Sequence, residues 1–344
     1  MSINLKELAD SLGLSQTTVS RALNGYPEVG EKTRARVNAA AKAANYAPNS
    51  RAQRLATGRS MTIGHVINLS GEAEMVNPIF ADFLAGAGEV YAREGYDLLL
   101  SIVPDHDVER AYRQMAAKGS VDGVMVQGPR IEDPRVPLLE ELGLPFLVHG
   151  RTGQYDAYSW LDVANIRAFE KATNFLLDLG HRHIALINGL ESMDFAARRR
   201  KGFEKAMRER DVPIDDSLMR SDVMTEGYGY DAASEMLDRA EGAPTAFVVS
   251  SVISAIGVRR AAGERGLRLG KDVSLVTHDD VLSYMNNDRE GPAFTATRSS
   301  IRHAGQRCAE ILIEMINTPD QPPTHELWEA ELTVGRSTGP APSK

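Results

Sequence analysis

The chain has 344 residues, 42% apolar and 25% charged, the balance of an ordinary globular protein with room for two or three compact units. No stretch approaches the roughly 20 uninterrupted apolar residues of a membrane span. The first residues lack the basic-then-apolar pattern of an export signal, and the single Cys308 permits neither an internal disulfide nor a cysteine zinc cluster, so no membrane association and a reducing, cytoplasmic location are expected. The net charge of −8 is unevenly spread: residues 1–59 carry +5 and the remainder −13, which assigns any contact with nucleic-acid phosphates to the first part alone.

Asn4 precedes the apolar series Leu5, Leu8, Leu12 and is followed by Glu7, a capping-box spacing that starts a first helix. Gly13 is expected to stop it, because glycine tolerates the left-handed conformation of a tight turn. Ser15 is the N-cap of a second helix running to about Asn24, with Gly25 at its end. In that helix Val19, Ala22 and Leu23 share one side, while Gln16, Thr17, Ser20 and Arg21 share the other. Gln pairs with adenine, Thr meets a thymine methyl, and Arg forks onto guanine in the major groove. Any solvated helix face has this polarity, but two helices joined by a three-residue glycine turn favour DNA reading. A third helix is predicted over Glu31–Asn45, with Val37, Ala41 and Ala44 packed inward and Lys32, Arg34 and Arg36 near the DNA backbone. Residues 49–58 form a helix-capable stretch too short to persist alone in water, since about 12 residues are needed.

The runs Leu5-Lys-Glu-Leu-Ala9, Gly13-Leu-Ser-Gln-Thr-Thr-Val-Ser-Arg-Ala-Leu-Asn24, Asn45-Tyr-Ala-Pro-Asn49 and Ala52-Gln-Arg-Leu-Ala56, with Val29 and Thr33-Arg34, resemble the headpiece and hinge of the lactose/galactose repressor family. The resemblance implies base reading by Gln16, Thr17 and Arg21 and phosphate contact along Asn4, Leu5, Ser20, Asn24, Thr33, Tyr46 and Asn49. It also implies that Ala52 and Leu55 of paired hinge helices enter the minor groove, the leucine wedging a base step open. Gly30 stands where many members have Ser or Pro, so the cap of the third helix is expected to be weaker.

Beyond Met61, apolar runs alternate with amphipathic ones. Strands are predicted at residues 62–69, 97–103, 123–126 and 146–148, with helices at 78–94, 108–118 and 134–142. After a connection at 159–163 the pattern restarts: helices at 165–179, 199–210, 229–239 and 252–265 alternate with strands at 183–187, 218–223, 246–250 and 273–277. A segment at 295–300, a helix at 301–317 and a run at 325–334 cross back. This is the pattern of two α/β lobes with parallel sheets. The resemblance supplies the expected fold class: a small all-α helix-turn-helix headpiece (1–47), a hinge helix (48–60) and an α/β periplasmic-binding-protein-like core of two doubly wound lobes (61–344). The N-lobe is predicted at 61–162 plus about 300–322, and the C-lobe at 163–299 plus about 323–340.

Catalytic signatures do not assemble. Gly270-Lys271 lacks the rest of a phosphate-binding loop, and His181/His183 and His278/Asp280 lack a third metal ligand nearby in sequence, so no enzyme activity, cofactor or metal is expected. Cys308 falls at helical spacing with Ala304 and Leu312 and is expected in the core. By position against the family pattern, the effector candidates are Asn77, Pro78, Gln127, His149, Arg151, Arg199, Met224, Ser251 and Asp279. Runs 145–151, 194–202, 278–281 and 297–300 are similar to those of the alpha-glucoside operon repressors of rhizobia and relatives. The resemblance therefore implies a homodimeric repressor of a sugar-utilisation operon, released from a near-palindromic operator by a small sugar, with the three adjacent arginines leaving an anionic sugar open. A ligand-requiring regulator of the same family and a sugar-binding transport protein are the alternatives. No C-terminal leucine heptad follows residue 337, which favours a dimer over a tetramer.

Overall fold

The computed structural model describes residues 3–23, 25–44, 46, 58–68, 77–153, 156–285 and 291–342. The chain divides into Met1–Met61 and Thr62–Lys344. Among the described residues no helix is long and apolar enough to cross a membrane.

The first unit contains α1 (Leu5–Leu12), α2 (Gln16–Leu23) and α3 (Glu31–Ala43). The capping box forms as the sequence predicts: Glu7 N donates to Asn4 Oδ1 at 3.0 Å and Asn4 N to Glu7 Oε2 at 2.9 Å. Gly13, at φ 62°, turns the chain toward α2, where Ser15 Oγ accepts from Thr18 N at 3.1 Å. Leu8, Ala9, Val19, Ala22, Val29, Val37 and Ala41 make the small core. Each fully buried leucine or valine there contributes about 2 kcal/mol. The cap of α3 is bare, since Gly30 supplies no side-chain acceptor.

In the second unit a six-stranded sheet holds β1 (Thr62–Asn68), β2 (Asp97–Val103), β3 (Gly123–Gln127), β4 (Phe146–His149), β5 (Trp160–Val163) and β11 (His325–Trp328), in the order β11-β5-β4-β3-β1-β2. A second sheet holds β6 (Ile184–Asn188), β7 (Met219–Ser221), β8 (Ala246–Val249), β9 (Ser274–Asp279), β10 (Thr295–Arg298) and β12 (Glu331–Thr333), in the order β12-β10-β9-β8-β6-β7. All pairings are parallel except β10 with β12. The central strands are almost wholly buried because crossover helices cover both faces. Those helices are α4 (Pro78–Glu94), α5 (Val108–Lys118), α6 (Arg135–Glu141), α7 (Asn165–Asp178), α8 (Asp194–Glu209), α9 (Glu226–Leu237), α10 (Val252–Glu264) and α11 (Ile301–Asn317).

Three differences from the sequence reading bear on the site. Residues 159–163 are not a simple connection, because Trp160–Val163 forms β5, and His325–Trp328 pairs with it in parallel. The start of the terminal stretch assigned to the C-lobe therefore belongs to the first sheet, and the chain crosses between sheets at 163–165, 298–301 and 328–331. Four-residue strands carry too little alternation to name their sheet. Third, the helix expected from residue 199 starts at Asp194, whose acid in the first turn favours that end and pairs with Arg198 one turn on. Arg199 thus lies inside α8, where Gly202 lets the helix touch α7: a Cβ on Gly202 would sit 2.2 Å from Ile166 O.

Candidate functional site

In the first unit Gln16, Thr17 and Arg21 are exposed on one face of α2. Thr17 and Arg21 line a shallow depression with Glu28 and Thr33, so this face of α2 and the uncapped start of α3 border the same hollow. Asn4 is exposed with its Oδ1 engaged in the cap, while Leu5, Ser20, Thr33 and Tyr46 are half-buried. Arg34 is half-buried and Arg36 exposed, and both donate to backbone carbonyls of the same unit. Arg34 Nη2 donates to Tyr26 O and Val29 O at 3.0 and 3.2 Å, and Arg36 donates to Leu12 O, which ties the turns to α3. Asn24, Asn49, Ala52 and Leu55 lie outside the described residues.

In the second unit the carboxyl ends of the parallel strands, where α/β sheets bind ligands, carry most of the effector candidates. Arg199 is buried at 6% exposure. Its Nε donates to Asn165 Oδ1 at 2.8 Å and its Nη1 to Ser250 O at 2.7 Å, and its guanidinium lies between the rings of Phe169 and Phe195, 5.2 and 4.9 Å from their centroids. Among the described residues it makes no ion pair. Burial lowers its pKa to about 10, against the pull of Asp280 and Asp162, and it remains charged.

Asp280 faces it electrostatically. Burial first, then Asp279 beside it, push this carboxyl up to about 7, while Arg199 opposes the rise. The nearest basic group is His278 Nε2 at 3.7 Å, which burial keeps neutral. Asp279, the sequence's candidate, is occupied: its Oδ1 accepts from Val281 N at 2.8 Å and its Oδ2 lies 3.4 Å from Arg298 Nε.

The other candidates divide by what already holds them. Asn77 caps α4, accepting from Ile79 N at 3.0 Å, with Pro78 in the first turn. Ser251 is buried and caps α10 through Ile253 N at 3.2 Å. Gln127 ends β3 and its carbonyl accepts from Arg135 Nη2. His149 ends β4, its ring 4.9 Å from that of Phe83, and burial lowers its pKa to about 4, so it is neutral at physiological pH. Met224 and Phe195 both cover Gly189. Arg151 donates from Nε to Asp162 Oδ2 at 2.8 Å and lies 4.9 Å over the Trp160 ring. The sequence reading named Asp280 only as a metal ligand it set aside, and did not single out Asp162 or Asn165. The Asp pair at 279–280 was the one available cue.

The two flanking arginines face other partners. Arg198 pairs with Asp194, and Arg200 with Glu191 and Glu204 at 2.9 and 2.7 Å. The lobes also touch across the cleft through the backbone: Ile131 N donates to Ser192 O and Asp194 N to Pro129 O, both at 3.0 Å. Among the described residues no metal-ligand cluster occurs. His181 binds Thr245 Oγ1 and Gly339 O, and so pins the C-terminal segment to the second lobe. Cys308 is buried in the first lobe beneath α4.

A helix-turn-helix unit and a two-lobed α/β unit with charged groups buried at its strand ends define a DNA-binding regulator with a periplasmic-binding-type sensor. The sequence matches the model for bacterial regulatory proteins of the lacI family over residues 4–49 and that for a periplasmic binding protein-like domain over residues 173–338. It is 45% identical over 345 residues to the HTH-type transcriptional regulator AglR of Rhizobium meliloti, covering 100% of this chain and 96% of that protein. To the HTH-type transcriptional regulator RafR of Escherichia coli it is 32% identical, covering 92% of each. The lac repressor dimer bound to operator and the anti-inducer ONPF superposes with TM-score 0.80 at 25% identity, over 98% of this chain and 99% of that one. The complex of transcriptional regulator CelR with cellobiose gives 0.71 at 26%, over 97% and 99%. The chain belongs to the lacI family of bacterial regulatory proteins.

Proposed function

We propose that the chain is a homodimeric repressor that reads a near-palindromic operator through Gln16, Thr17 and Arg21 and leaves it when a neutral sugar, foremost an α-glucoside, binds between its lobes. The observation that carries this reading is the buried Arg199, which makes no ion pair among the described residues yet feels the charge of Asp280, whose own neighbour His278 is kept neutral by burial. Two opposite charges held apart at a cleft suit adjacent hydroxyl groups, each of which donates to a carboxylate or accepts from a guanidinium. The occupied Arg198 and Arg200 remove the reason to expect an anionic sugar. Cellobiose on CelR shows that a disaccharide is accepted on a related frame.

Hinge contacts by Ala52 and Leu55, with Asn49 and Asn24 on phosphates, complete the DNA-binding proposal. Dimerisation has support in the edge strand β2, whose Leu98, Leu100 and Ile102 expose 41, 37 and 39% of their surface on alternate positions. The test is a DNA shift assay on the promoter beside the chain's own gene, run with maltose, sucrose, trehalose and cellobiose. Release by an α-linked disaccharide supports the reading. Tighter DNA binding in sugar would reverse the sign to a ligand-requiring regulator, and indifference to every sugar would remove the effector assignment.

A further inference from the structure

Arg199 is held by atoms that trace back to the other lobe. Its Nε bond requires Asn165 to present Oδ1 rather than Nδ2, since a flipped amide would set donor against donor. Asn165 is 3% exposed, and its Nδ2 is fixed by Val163 O at 3.0 Å and by Asp162 Oδ1 at 3.3 Å. Asp162, 4% exposed, is fixed in turn: its Oδ1 accepts from Val163 N at 2.8 Å and its Oδ2 from Arg151 Nε at 2.8 Å. Arg151 follows β4 and Asp162 lies in β5, both of the first lobe, whereas Asn165 opens α7 and Arg199 sits in α8 of the second. The row Arg151, Asp162, Asn165, Arg199 therefore spans the crossing at 163–165.

With Nε given to Asn165 and Nη1 to Ser250 O, Nη2 is the guanidinium nitrogen without a protein partner among the described residues. A guanidinium is a rigid fork, so fixing two nitrogens aims the third. We infer that Asp162, clamped by Arg151 and acting through Asn165, is the positioning residue that aims Arg199 into the cleft, so that effector affinity depends on a first-lobe carboxylate that does not touch the effector. This rests on the effector reading of the cleft. It also reassigns Arg151 from effector contact to clamp. A purely structural ion pair between Arg151 and Asp162 would support the fold without regard to Arg199, and the two cases differ in how their losses combine.

The test is a double-mutant cycle in the full-length protein with Asp162→Asn and Arg199→Ala, singly and together, read by urea unfolding and by sugar titration. The substitution at 162 should raise the unfolding constant by about fivefold more in the parent than in the Arg199→Ala background, the size of coupling expected for one hydrogen-bonded network. It should also weaken binding of maltose or sucrose by about tenfold while operator binding stays intact. Additive unfolding penalties, or an unchanged sugar affinity, would overturn the inference. If the parent binds neither sugar the effector reading fails separately, and the unfolding cycle still decides whether the row exists. Should Asp162→Asn not fold, Arg151→Lys keeps the charge, removes the planar fork and enters the same cycle.

Discussion

Buried charges are expensive unless paired, and Arg199 is buried while Asp280 is largely shielded from solvent, with no ion pair between them. That arrangement makes sense if a third party completes it. Arg199→Ala should weaken sugar binding by about 100-fold, close to 3 kcal/mol for a charge-assisted pair of bonds, and leave operator affinity unchanged. Fluorescence titration and a DNA shift assay read the two quantities, and a fall in operator affinity instead would make Arg199 a folding residue. The second prediction follows from Asp280, whose carboxyl is pushed up to about 7, mainly by burial. Hydroxyl donation favours the ionised form, so binding expels a proton and affinity should rise as pH increases from 6 to 8, then level off. Asp280→Asn should flatten that profile. Stability runs the other way: between the ordinary carboxylate range near 4 and about 7 the native state binds more protons than the unfolded chain, so unfolding becomes easier as pH rises through that window.

At the level of elements, the helices carry the cues that a sequence displays best. The boundary of α1 is written in Asn4, Glu7 and Gly13, and those of α4 and α11 were readable to the residue from apolar spacing and caps. Strands β5 and β11 were not, because four residues carry too little alternation to read as a strand, and register with a partner over 160 residues away leaves no local trace. The candidate site divides similarly. Arg199 stood out by its place before Gly202, but Asn165 lies 34 residues away and meets it only because α7 and α8 touch at Gly202. A third prediction tests that contact. Gly202→Ala must separate the helices, costing about 1 to 3 kcal/mol in urea unfolding and weakening sugar binding with it. Gly305→Ala, whose Cβ would meet Phe83 O at 2.2 Å between α11 and α4, should cost a similar amount and spare the sugar site. In the headpiece, Arg21→Ala should relax base choice at one position per half-site by about 1 to 3 kcal/mol, and an unaltered preference in a randomised-operator selection would place base reading elsewhere.

For the whole molecule, one equilibrium has to serve both ligands. The charge asymmetry, +5 through residue 59 and −13 beyond it, keeps DNA contact to the first unit, so a sugar held in the second can act on DNA only through a change of state they share. Linkage then makes a quantitative demand: if sugar lowers operator affinity by some factor, operator must lower sugar affinity by the same factor. Titrating the probe sugar against free protein and against protein saturated with operator measures one side, and titrating operator with and without sugar measures the other. Equal factors are expected. Leu55→Ala sharpens the demand: if the leucine wedges the minor groove as proposed, its loss should weaken operator binding without changing sugar affinity for the free protein. Loss of both would mean that residues around 55 support the sensor itself. Because any equilibrium coupling requires the two factors to be equal, the informative quantity is their size: a factor of one would mean that sugar bound in the second unit does not bias operator affinity, and the effector proposal would fall.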